Sequence, residues 1–169
     1  MREIRASGYA LITLATLFMA AQLCWQWLHG GIAAHHLLAN PALPAVSDAW
    51  GLVILPALAW LAARRLPAGS VQSPFGYALA AAFGYGLLLA LLFLNDIRAP
   101  LPWLFFGTYL LALLLPLHRA EVILGYVAAL SLAVGPVLPL LMSSPAILIA
   151  WLSVLTQNWL RQRACSENK

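Results

Sequence analysis

Three of the four histidines fall within a single stretch, His29 to Asp48, which reads HGGIAAHHLLANPALPAVSD. His29, His35 and His36, with Asp48 at its end and Asp96 further along the chain, are the residues whose types suit chemistry. Imidazoles and carboxylates serve as general acids and bases, and they ligate divalent metals such as zinc, where an open coordination position activates water. The expected site therefore consists of His29, His35, His36, Asp48 and Asp96, acting as catalytic groups, metal ligands or both. The spacing is not that of a known metal motif. On a helix the adjacent His35 and His36 diverge, and Gly30 and Gly31 interrupt any face that would join His29 to them. The plainer account of the same residues is equally explicit: solvated loop histidines, Asp48 as a helix N-cap, and Asp96 as a partner for Arg98.

The elements that hold this stretch are set by composition. Of 169 residues, 63% are hydrophobic and 8% are charged, and mean hydropathy is +0.88. Soluble domains carry roughly 25% charged residues, so lipid must solvate most of this chain. The formal charge of +4 then bears on orientation. With no basic run, phosphate loop or RNA-binding aromatic motif, nucleic acid is not an expected partner.

Six apolar runs predict six membrane-spanning helices, at about 7–28, 49–66, 75–94, 101–117, 122–142 and 146–160. The fold class is thus an all-α bundle forming one polytopic membrane domain over residues 1–169, with a long first outer loop that is partly helical or re-entrant. The first run is longer than the roughly 7–15 residues of a signal-peptide core, which favours a retained span over a cleaved leader. Cys24 lacks a small preceding residue of the kind a lipidated cysteine needs. Ile32 to Leu38 is expected to form a short interfacial helix stopped by Asn40 and Pro41. Ser73–Pro74 and Ser143–Ser144–Pro145 read as cap-plus-proline starts for the third and sixth helices. Pro56, Pro116, Pro136 and Pro139 should kink spans or break them. Bent by the last two, the fifth helix would leave space beneath the histidine stretch.

Six spans put both termini on one side. Arg2, Arg5, Arg64, Arg65, Arg119, Arg161, Arg163 and Lys169 share that side, against Arg98 on the other, so the termini are expected to be cytoplasmic. The histidine stretch then faces outward, into the periplasm if the membrane is a bacterial inner membrane, as the alanine, leucine and arginine bias suggests. The same topology sets His29 against His118, and Cys24 against Cys165, across roughly 30 Å of hydrocarbon, excluding a shared haem and a disulfide. Gly76, Ala80 and Gly84, and separately Gly125, Ala129 and Ala133, form small-residue stripes for close helix packing, within the bundle or against a protein partner or second copy.

The outward His and Asp with Ser47 resemble the alkaline ceramidase-like membrane hydrolases, although their paired H-x-x-x-H and one further span are missing here. Size and six spans are similar to the substrate-binding membrane components of vitamin uptake systems. Three functions follow as expectations. The first is a membrane-embedded, metal-assisted hydrolase or transferase acting on a lipid-like substrate at the outer face. The second is a small-solute transporter or its membrane component. The third is a non-catalytic subunit or assembly factor. No Asp, Glu, Lys or Arg lies near the middle of a span, which argues against ion-coupled transport.

Overall fold

The computed structural model describes residues 6–36, 44–66 and 74–167. Within them the chain forms six α-helices: α1 (Ala6–Leu28), α2 (Gly51–Ala63), α3 (Pro74–Leu94), α4 (Leu101–Leu114), α5 (Ala120–Val134) and α6 (Val137–Glu167). Three segments, Ala6–Leu28, Pro74–Leu94 and Val137–Gln157, are long and apolar enough to cross a membrane, while Asp48–Ala63, Leu101–Leu114 and Ala120–Val134 are shorter apolar helices. The exposed surface fits that reading, for Leu14, Trp27, Trp103, Phe106 and Leu114 are all more than half exposed.

The bundle is built around α5. Its Leu124, Gly125, Tyr126, Val127, Ala129, Leu130 and Ser131 are all buried. Fifteen residues rise only about 22 Å, and of them Leu132 alone is exposed. Its most extensive partner is α3, approached closely because glycines face the contact. A Cβ on Gly86 would lie 2.8 Å from the Tyr126 carbonyl and 2.9 Å from Ala129 Cβ, and one on Gly125 would lie 3.0 Å from Phe83 N. The α5 stripe is therefore correctly read at Gly125 and Ala129, but the α3 stripe is not. Gly84 is exposed and a Cβ there meets nothing within 4 Å. The face that packs is Leu79, Ala82, Phe83 and Gly86.

The fifth and sixth helices divide differently from expectation. α5 stops at Val134 because Gly135 adopts φ 69° and ψ 172°, a conformation essentially reserved for glycine, and Pro136 follows. α6 starts at Val137 and runs on through Pro145. Pro145 has no N–H for the Leu141 carbonyl, and Ser144 Oγ donates to that carbonyl instead, at 2.7 Å. Ser143 Oγ likewise donates to Leu140 O at 3.1 Å. The Ser143–Ser144–Pro145 signal thus marks a repaired helix interior, where helix satisfaction replaces capping.

Between α1 and α2 the chain makes a small antiparallel hairpin, β1 (Ala34–His36) with β2 (Ala45–Ser47), pairing Ala34 with Ser47 and His35 with Val46. The expected interfacial helix is absent over Ile32 to His36; its remainder, Leu37 and Leu38, lies outside the described residues. A 3₁₀ turn, Asp48–Trp50, leads from β2 into α2.

Candidate functional site at the hairpin end of the bundle

The inward face of α1 carries Met19, Gln22, Leu23 and Gln26, spaced as successive turns of one stripe. Met19 and Leu23 are buried and fill the core. The two glutamines bring amides into an apolar bundle, and each amide finds protein partners. Gln22 Nε2 donates to the Ser131 carbonyl, and Ser131 Oγ donates to Gln22 Oε1 at 3.1 Å. Ser131 lies in the last turn of α5, where helical carbonyls lack intrahelical partners, so Gln22 caps a helix end that water does not reach. One turn further on, Gln26 Oε1 accepts from Ala33 N at 3.2 Å, while Gln26 Nε2 donates to Asp48 Oδ2 at 2.8 Å.

Asp48 is the centre of this arrangement and is only 3% exposed. The helix-cap account does not describe it: Ser47 is the N-cap, accepting from Ala49 N at 3.2 Å. The Asp48 carboxylate instead turns inward against Gly135, where a Cβ would meet Oδ1 and would lie 2.9 Å from Cγ. The space expected beneath a bent fifth helix is filled by this carboxylate. Backbone fixes its position too, since Asp48 N donates to Ala33 O at 3.0 Å. One acidic side chain therefore joins α1, the hairpin and the α5–α6 junction.

His35 completes the group. Strand alternation sends His35 and His36 to opposite faces, leaving His36 exposed and His35 partly buried. His35 Nε2 stands 3.7 Å from Asp48 Oδ1, with the imidazole side chain 34% exposed. A buried carboxylate beside a half-open imidazole is the residue combination that acid–base chemistry uses. The separation exceeds a hydrogen bond.

The remaining expected site residues stand apart. His29 is exposed, its ring stacked on Trp25 at 3.8 Å and its Nδ1 2.8 Å from Trp25 O. Asp96 is 76% exposed and pairs with Arg98 Nε at 2.6 Å, as the plainer account of that turn expects. Among the described residues no three His, Cys, Asp or Glu side chains gather as a metal site requires. Of the five residues, the fold brings His35 and Asp48 together.

Sequence reasoning missed Gln22 and Gln26, whose four-residue spacing inside an apolar run was the available signal. It also missed a second polar cluster at the opposite end, on the turn between α4 and α5. There Glu121 is 5% exposed, and its Oε2 and His118 Nδ1 are buried without hydrogen-bond partners. Burial, then the charges of Arg65 and Arg119, push the His118 imidazole below its ordinary value, while Glu121 opposes them. Comparison with protein families, curated proteins and solved structures finds no match to this chain.

Proposed function

We propose that this chain is a six-span protein of a bacterial inner membrane, with both termini cytoplasmic, whose working site is the His35–Asp48 pair at the periplasmic face. The orientation rests on the sequence order of the basic residues, eight of which a six-span path would set on one side against Arg98 on the other, the bias that fixes topology in short loops. Interfacial aromatics at both ends support the spans. Trp25, Trp27, Trp50 and Trp103 are exposed at the hairpin end, whereas Trp60 and Trp159 lie under Arg64 and Arg163 at the other.

The activity that fits is hydrolysis or group transfer on a lipid-like substrate whose head reaches the outer surface. His35 takes the proton from the attacking water or hydroxyl and returns it to the leaving oxygen, while Asp48 stabilises the imidazolium formed between the two steps. Gln26 holds Asp48 in place. The carrying observation is the burial of Asp48 beside the partly exposed His35, 3.7 Å away. A catalytic zinc normally takes three protein ligands, and this pair would supply two, so the reading does not route the reaction through a metal.

The test is the lipid and prenyl-lipid profile of cells lacking the chain, complemented with variants expressed at equal levels. His29→Gln and His36→Gln should restore the profile, and His35→Gln and Asp48→Asn should not. Full restoration by His35→Gln would remove the pair from the activity.

A further inference from the structure

The opposite end of the bundle holds a second feature. α3, α4, α5 and α6 line a half-open cavity of about 370 Å³, within the roughly 300–1,000 Å³ of small-molecule sites. Its walls are short or aliphatic, among them Ala78, Ala81, Leu111, Val122 and Ala146. Of the hydroxyl groups that reach it, those of Tyr85, Thr108 and Ser143 are engaged within the protein, and Tyr126 adds a fourth. Tyr85 donates to Leu104 O at 2.7 Å, Thr108 to the same carbonyl at 3.2 Å, and Ser143 to Leu140 O. Such walls offer an occupant apolar contact and few hydrogen bonds.

Charge enters at one place. Arg119, the residue before α5, lines the cavity with its side chain 46% exposed. Among the described residues its acidic partner is Glu121, whose Oε1 is 4.0 Å from Arg119 Nη1, too far for a hydrogen bond. Arg65, at the end of α2, is close enough to act on His118 together with Arg119. Around His118, Arg65 and Arg119 are set against the one carboxylate of Glu121. The cavity is thus an apolar chamber with a cation at its rim, and a guanidinium is suited to gripping a planar carboxylate through two parallel N–H groups.

We propose that this cavity holds the alkyl chain of a long-chain carboxylate of fatty-acid type, with the carboxylate on Arg119. The site is independent of His35 and Asp48 and lies at the other end of the bundle. Ala81 and Ala78 decide how much chain can enter, because each sits on the α3 wall with only a methyl group projecting.

The experiment measures equilibrium binding of radiolabelled laurate to the full chain in digitonin, a detergent without an alkyl chain, with dodecanol and dodecyl phosphate as competitors. The expected result is one saturable laurate per chain, displaced by dodecanol only at roughly tenfold higher concentration. Arg119→Gln should weaken laurate about tenfold and leave dodecanol unchanged. Ala81→Trp should abolish binding of both while His35 and Asp48 variants bind normally; if Ala81→Trp does not fold, Ala78→Leu is read in its place. Non-saturable laurate uptake, laurate binding unaffected by filling the cavity, equal laurate affinity in Arg119→Gln, or binding of dodecyl phosphate without laurate would each overturn the proposal.

Discussion

Replacing Gly135 with alanine perturbs both the backbone and the buried carboxylate, and the two costs can be separated. At φ 69° and ψ 172° a residue bearing a Cβ is strained by about 1–3 kcal/mol. The new methyl would also overlap Asp48 Oδ1 and lie 2.9 Å from its Cγ, so the carboxylate must leave its place. That breaks the 2.8 Å bond from Gln26 and adds about 1–3 kcal/mol for buried polar groups left unpaired. Thermal melting of the purified protein in detergent should fall by on the order of 10 °C. In an Asp48→Ala background the overlap is gone and only backbone strain remains, so the same substitution should cost about 1–3 kcal/mol less. An unchanged melting temperature for Gly135→Ala would refute the packing described, and an equal cost in both backgrounds would show that Asp48 does not press against Gly135.

Three further outcomes follow from the same structure. Gly86→Leu should destabilise the bundle strongly, because its first added atom already meets Tyr126 O and Ala129, whereas Gly84→Leu points into open space and should melt within a few degrees of the parent. The imidazole of His118 is held below its ordinary value of 6.5 by burial and by Arg65 and Arg119, so near that pH the unfolded chain binds a proton that the fold refuses. Stability should therefore decline as pH drops below 6.5 toward the lower folded value, and His118→Gln should flatten that part of a melting-temperature profile taken between about pH 8 and pH 5. Reporter fusions after Leu43 and after Gly69 should report opposite compartments; the same compartment for both would exclude the proposed topology.

The helical class was legible because composition alone demands lipid as solvent, and α1, α3 and the start of α4 fall within a residue or so of their apolar runs. The α5–α6 junction was not. Hydropathy is continuous across Gly135–Pro136, and the Ser143–Ser144–Pro145 signal looks the same whether serine caps a helix or repairs one. The α3 stripe was misplaced because small residues lie on several faces of that helix, and which of them faces α5 is decided by tertiary packing. At the site, the residue types of His35 and Asp48 were readable, but the choice between His35 and His36 depends on strand alternation in a segment expected to be helical. Gln26 was passed over because an amide inside a span carries no charge to draw notice. Glu121 and His118 carried no signal, because the apolar pattern does not show that the first turn of α5 is buried.

The most direct test of the central reading is turnover by the purified chain, reconstituted into vesicles of phosphatidylethanolamine, phosphatidylglycerol and long-chain prenyl phosphates, with lipid products followed by mass spectrometry. The account predicts a product formed by the parent, His29→Gln and His36→Gln proteins and lost in His35→Gln and Asp48→Asn, all five melting as folded proteins. Equal product from His35→Gln and the parent, or a lipid profile unchanged by the parent protein, would contradict it.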